Sequence, residues 1–123
     1  MASVLLVDDE LEAQEPLARY LEKAGHQVRL ARNPVDALNA IVESRPDVVV
    51  LDLMMPGLDG AAVLEVARSS IRLQSLPVIV LTAVEEGPLM ERARKANASA
   101  ILIKSRASLQ QIMREVEIAA GLM

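Results

Sequence analysis

Cysteine, tryptophan and phenylalanine are all missing from this 123-residue chain, and a single tyrosine, Tyr20, is its entire aromatic content. Without cysteine there can be no disulfide and no thiolate metal site, which fits a reducing compartment. Without aromatics there is no stacking platform for single-stranded nucleic acid. The formal charge is -4 and the pI near 5.0, so no basic stripe is available to follow a phosphate backbone. Direct nucleic-acid binding is therefore not expected of this segment, and any DNA output would need another domain. Apolar runs of the roughly 18 residues that a membrane span requires are also absent, and Met1 leads straight into a strand-like segment rather than a signal-peptide core. The expected location is the cytoplasm, with no membrane partner.

What is present is aliphatic. Hydrophobic residues make up 52% of the chain, enough for one core in a domain of this length, so residues 1–123 are read as one domain. Five short runs rich in Val, Ile and Leu stand out: Val4–Val7, Val28–Ala31, Val48–Leu51, Val78–Leu81 and Ala100–Ile103. They are too short for helices, and the first, third and fourth are almost continuously apolar, as parallel strands covered on both faces must be. Between and after them, apolar residues recur at helical spacing: Leu17, Tyr20, Leu21 and Ala24; Val35, Leu38 and Val42; Leu64, Ala67 and Ile71; Leu89, Ala93 and Ala96; and Leu109, Ile112, Met113 and Val116. Met90 and Met113 read as core filler.

Punctuation agrees with these boundaries. Asn33 and Pro34 read as an N-cap and first helical residue, while Gly25 and Asn97 stand where helices should stop. Pro16 falls inside the first helical pattern, so that helix is expected to begin late, near Glu15, or to bend. Five βα units with right-handed crossovers place helices on both faces of an open sheet. The expected fold is α/β, a flavodoxin-like (βα)5 three-layer sandwich with parallel strand order 2-1-3-4-5, whose crevice lies at the carboxyl ends of strands 1 and 3.

Those strand ends carry the polar residues. Strand 1 runs into Asp8, Asp9 and Glu10, strand 3 into Asp52, strand 4 into Thr82 and strand 5 into Lys104. Carboxylates crowded at a crevice either hold protons or bind a cation, and a hard oxygen-rich site suits Mg²⁺. A carboxylate can also act as a covalent nucleophile while a metal and an ammonium neutralise a transferring phosphoryl group, which makes Asp52, on the central strand, the candidate nucleophile. The bland alternative is that Asp9 and Glu12 merely form a capping pair for the first helix. Asp59 and Gly60 read as turn and helix-start residues, His26 as a solvated loop residue, and Glu91–Lys95 as a solvated helix face. Glu85–Pro88 lead into the fourth helix beside Thr82, where they and Val84 are placed to modulate access.

The run Val4-Leu5-Leu6-Val7-Asp8-Asp9-Glu10, the loop Val49-Val50-Leu51-Asp52-Leu53-Met54-Met55-Pro56-Gly57-Leu58-Asp59-Gly60, the pair Thr82-Ala83 and the terminal Lys104 together resemble the response-regulator receiver family over essentially the whole chain. The resemblance implies a two-component phosphorelay. A sensor histidine kinase or phosphotransfer protein would donate phosphate to Asp52, with Asp9, Asp52 and the backbone carbonyl of Met54 binding Mg²⁺ or Mn²⁺ and Asp8 adding charge or a water-mediated contact. Lys104 would pair with the phosphoryl oxygens and Thr82 would move to hydrogen-bond them. The readout to a downstream protein, or to a phosphorylation-dependent dimer, would lie on the face of the fourth helix, fifth strand and fifth helix. In such a protein phosphorylation is signalling rather than turnover.

Two departures from the family stand out. Ile101 occupies the place of the usual aromatic residue three positions before the lysine, and Ser105 replaces the proline that usually follows it. A cis bond before a non-proline residue costs about 2.5 to 4 kcal/mol, so a trans Lys104–Ser105 bond is expected. These departures support a competing reading, a pseudo-receiver that binds proteins without phosphorylation. A haloacid-dehalogenase-like phosphatase is a poorer fit, because its second acid, two residues after the nucleophile, is replaced by Met54 and no room remains for a cap domain. No glycine-rich phosphate loop follows strand 1 to support a nucleotide-binding flavodoxin-like module.

Overall fold

The computed structural model describes residues 1–55, 58–83 and 85–123; the expectations for Val84 and for the Pro56–Gly57 step lie outside them. Five parallel strands form one sheet: β1 (Ser3–Val7), β2 (Gln27–Ala31), β3 (Val48–Leu51), β6 (Val78–Thr82) and β7 (Ala100–Ile103), in the order β2-β1-β3-β6-β7. Two-residue strands β4 (Met54–Met55) and β5 (Leu58–Asp59) pair antiparallel between β3 and α3. With them set aside, the order is the expected 2-1-3-4-5. The helices are α1 (Leu11–Lys23), α2 (Pro34–Glu43), α3 (Gly60–Ser69), α4 (Pro88–Lys95) and α5 (Leu109–Ala119).

The pleat divides the core in two, because successive strand side chains point to opposite faces. Leu5, Val7, Val49, Leu51, Val78 and Val80 pack with Ala37, Ile41, Leu64 and Ala93, the α2–α3–α4 layer. Val4, Leu6, Val48, Val50, Ile79 and Leu81 pack with Leu17, Leu21, Ile112 and Val116, the α1–α5 layer. Every residue of β1 after Ser3, and all of β3 and β6, are buried, which is why these strands read as unbroken apolar runs; the edge strands β2 and β7 are not.

Local chemistry explains the boundaries. Asn33 caps α2 by accepting from the Asp36 N–H (2.8 Å), with Pro34 in the first turn. α1 stops at Gly25 (φ +94°): the His26 N–H donates to Leu21 O and the Gly25 N–H to Glu22 O, the paired bonds of a Schellman motif. Asn97, with φ +58°, ends α4 in the same way. A capping box of Ser108 and Gln111, unnoticed in the sequence, opens α5.

Several expectations are corrected. α1 begins at Leu11, not near Glu15: Pro16 sits inside it on the exposed side and removes only the N–H that would reach Glu12 O. No capping pair forms at its start; the N-cap is Glu10, without a side-chain bond. On α2 the buried residues are Ala37 and Ile41, with Leu38 of the expected stripe packed against the same core, while Val35 and Val42 are 67% and 78% exposed. Spacing alone suited either stripe, and packing chose the narrower one. Ile71 lies beyond α3 in solvent, and Tyr20 is only half-buried. His26 is not a solvated loop residue but is buried: the Ala2 N–H donates to its Nδ1 (3.0 Å) and its Nε2 faces Glu117 (3.1 Å).

Candidate functional site

The same strand parity assembles the site. Asp8 continues the Val4–Leu6 row and Asp52 the Val48–Val50 row, while Lys104 follows Ala100 and Leu102, so all three emerge on the α1–α5 side at the carboxyl edge of the sheet. Thr82, fully buried at the end of β6, belongs to the other row, beside Val78 and Val80, and its carbonyl accepts from the Lys104 N–H (2.9 Å). Backbone bonds align the acidic ends: the Asp8 N–H donates to Ala31 O and the Asp52 N–H to Val7 O, both 3.0 Å.

Oxygens of Asp8, Asp9 and Asp52 come within 4.8 Å of one another, with Asp8 and Asp52 buried and Asp9 half-exposed. The Lys104 ammonium donates to both Asp8 Oδ2 (2.8 Å) and Asp52 Oδ2 (3.2 Å). Asp8 is further held by the Glu10 N–H on Oδ1 (2.9 Å) and by the Gln14 amide on Oδ2 (2.6 Å), and Asp52 Oδ1 accepts from the Met54 N–H (3.0 Å). Three hard oxygen donors from two strands, with one lysine to balance them, match the donor set that a small divalent cation takes. Asp8, Asp9 and Asp52 would hold it, beside the backbone of Met54.

The two buried carboxyls titrate in opposite directions. Burial pushes Asp8 up, but the hydrogen bond from Lys104, the Glu10 amide, the Lys104 charge and Gln14 together outweigh it and hold Asp8 below the ordinary aspartate value. For Asp52 burial wins over the Met54 amide and Lys104, with the Asp8 charge adding to it, so its carboxyl lies above the ordinary value. Burial lowers Lys104, yet its contacts with Asp8 and Asp52 more than compensate and its ammonium is held above the usual lysine value.

Three residues at or next to the site were not singled out in the sequence. Gln14 is buried on the stripe it shares with Leu17, Ala18 and Leu21; a polar residue in register with an apolar stripe was the available signal. Gly60 was read as a conformational device, but the need is for space: a Cβ there would lie 2.3 Å from Asp52 O and 2.8 Å from Leu53 Cα. Arg92, assigned to a solvated face, instead reaches across to α3: its Nε donates to Glu65 Oε2 (3.0 Å), its Nη2 to Glu65 Oε1, and its Nη1 to Asp59 Oδ2 (2.7 Å). Ile101 is half-buried against the α2–α3–α4 core, and no cis peptide bond occurs among the described residues.

The family model for the response regulator receiver domain matches residues 4–117. The chain belongs to that receiver family. Among curated proteins, this receiver domain is 48% identical over 80 residues to the response regulator MprA of Mycobacterium sp. strain KMS, covering 65% of this chain and 34% of that protein. It is 42% identical over 83 residues to the transcriptional regulatory protein AfsQ1 of Streptomyces coelicolor, covering 68% and 36%. The chain thus spans about a third of the length of these relatives. Among solved structures, the signal receiver domain of a signal transduction histidine kinase from Syntrophus aciditrophicus superposes with a TM-score of 0.88 at 26% identity, covering 98% of this receiver domain and 91% of that chain. Both sets of relatives place the protein in two-component signalling. No helix among the described residues is long and apolar enough to cross a membrane.

Proposed function

We propose that residues 1–123 form one cytoplasmic receiver domain that takes a phosphoryl group on Asp52 from a phosphohistidine donor, with Mg²⁺ or Mn²⁺, and thereby alters a protein-binding face. The observation that carries this reading is the convergence of Asp8, Asp9 and Asp52 within 4.8 Å, with Lys104 bridging two of them. A bound divalent cation would supply charge neutralisation to the transferring phosphoryl oxygens. Asp52 Oδ attacks phosphorus as the phosphorus–nitrogen bond of the donor breaks; the electron pair leaves on the donor imidazole, which takes a proton from solvent. The Met54 N–H holds one Asp52 oxygen in place, leaving the other, now facing Lys104, as the attacking atom. Lys104 is placed to transfer its contact from the carboxylates to the new phosphoryl oxygens, and Thr82 to hydrogen-bond them from the end of β6. The face of α4, β7 and α5 would carry the change to a kinase-regulated output protein or a second copy of the chain.

The test is to add Mg²⁺ with a small phosphoramidate donor, or with beryllofluoride, and follow Asp52 by intact mass and NMR. One phosphoryl group should appear on the wild type and none on Asp52→Asn. A folded wild type that takes up neither reagent at millimolar concentration refutes the proposal. The pseudo-receiver reading, favoured by Ile101 in place of an aromatic residue, would then be adopted if partner binding survived Asp52→Asn.

A further inference from the structure

Arg92 is the residue whose geometry exceeds what its position on a surface helix demands. It lies on α4, yet all three of its donor-bearing nitrogens are committed to α3 and its N-cap: two grip Glu65 and the third holds Asp59. A planar guanidinium can satisfy two carboxylates at once in this way; a lysine ammonium cannot reproduce the fork. Arg92 draws Glu65 below its ordinary carboxylate value mainly through their hydrogen bond. Glu65 is therefore ionised throughout the neutral range.

Asp59 connects this grip to the site. Its Oδ1 accepts from the Ala62 N–H (3.3 Å) and caps α3, while its Oδ2 takes Arg92. Its backbone is paired in β5 with Met54 of β4, and the Met54 N–H holds Asp52 Oδ1. The next residue, Gly60, is pressed directly onto the Asp52 and Leu53 backbone. From Arg92 through Asp59 and Met54 to Asp52 there is thus a continuous chain of hydrogen-bonded and paired groups, and α4 leads on from the β6 end that carries Thr82.

We propose that Arg92 is a positioning residue that clamps α4 to the paired strands β4 and β5 and so sets the backbone that completes the cation and phosphoryl site. This rests on the reading of Asp8, Asp9 and Asp52 as a cation site. Coupling of this kind is reciprocal: whatever bound state shifts β4 and β5 also shifts α4 through the same side chain.

Charge and position predict opposite outcomes, which makes the inference testable. Removing a nearby positive charge should by Coulomb attraction alone tighten Mg²⁺ binding, whereas losing the clamp should weaken it. The experiment measures Mg²⁺ affinity by NMR titration of wild type, Arg92→Gln, Arg92→Lys and Asp59→Asn, with thermal melts to verify folding. Asn can still cap α3, so Asp59→Asn cuts the clamp and keeps the helix start. Roughly tenfold weaker Mg²⁺ binding is expected for Arg92→Gln, the low end of what outer-shell partners of metal ligands contribute. Arg92→Lys, which keeps the charge and loses the fork, should also weaken binding, and the Arg92→Gln/Asp59→Asn double variant should be no worse than Asp59→Asn alone. Unchanged or tighter binding by folded Arg92→Gln and Arg92→Lys overturns the clamp and leaves the cation site standing. If wild type itself fails to bind Mg²⁺ in a manner abolished by Asp52→Asn, the cation site and the clamp fall together. Should Arg92→Gln not fold, Arg92→Lys, which keeps the charge, decides the matter.

Discussion

The two ends of β1 each carry a buried polar cluster, and they are of opposite character. At the carboxyl end Asp8 shares Lys104 with Asp52 and is further tied by Gln14, so formal charges are concentrated and only partly balanced. At the amino end His26 accepts from the Ala2 N–H and meets Glu117 of α5, which closes the α1–β2 connection onto the last helix. One cluster crowds carboxylates together; the other pairs an imidazole with a backbone donor and a carboxylate. Burial alone therefore does not mark a functional site: one cluster gathers carboxylates around a single ammonium, while the other matches hydrogen-bond donors with acceptors.

That contrast can be broken at each end. The largest effect is expected for His26→Ala, which leaves the Ala2 N–H without an acceptor and opens a cavity beside Glu117. Denaturant unfolding should show a loss of about 3 kcal/mol, with Mg²⁺ affinity unchanged and no rescue by Mg²⁺. Lys104→Met should lose about 2 kcal/mol in cation-free buffer, because Asp8 and Asp52 then face each other without their shared ammonium and the lysine is partly exposed to begin with. Unlike the histidine variant, it should regain most of that on adding Mg²⁺ while failing to take up phosphate. A loss at Lys104 that Mg²⁺ does not repair would erase the proposed difference between the two clusters.

The smallest effect is one of sign. The Asp52 carboxyl is raised by burial, so the folded state favours its protonated form: its contribution is present below the ordinary value of 3.8 and is lost as pH rises through the raised value. Asp52→Ala should accordingly melt a few degrees above wild type near pH 7 without divalent cation, and the gap should shrink as pH falls toward 3.8. Asp8 behaves oppositely. Its lowered value means that its stabilisation is present above the ordinary value and is lost as pH falls through the lowered one, so Asp8→Ala should melt below wild type near neutrality. Shifts of the same sign in the two variants would show that Lys104 does not favour Asp8 over Asp52.

How much of this could be read in advance varied with the range of the interaction. β1, β3 and β6 were legible because strands buried on both faces admit almost nothing but aliphatic residues. The stops at Gly25 and Asn97 were legible because positive φ restricts the residue type. Asp8, Asp9, Asp52 and Lys104 could be placed together because each ends a strand, and parallel strands deliver their ends to one edge. The α2 stripe was misjudged because Val35 and Val42 are as apolar as the Ala37 and Ile41 that the sheet selected. Pro16 misled because a proline one and a half turns into a helix removes a single bond, which tertiary packing of Leu17 and Leu21 can outweigh.

His26, Gln14 and Arg92 show the same boundary from the other side. Each is polar, and the sequence reads His26 and Arg92 as solvated while leaving Gln14 unmarked; their partners Glu117, Asp8, Asp59 and Glu65 lie 91, 6, 33 and 27 positions away. Nothing local distinguishes a histidine headed for solvent from one that closes onto the final helix. The sequence by itself determined the alternation of elements and, for a parallel sheet, the edge where acids gather, because period, capping and turn chemistry act over a few residues. Only the tertiary structure decided which carboxyl is held down and which is pushed up, that the single histidine is buried and which arginine reaches another helix, because those outcomes depend on desolvation and on charges brought together from distant parts of the chain.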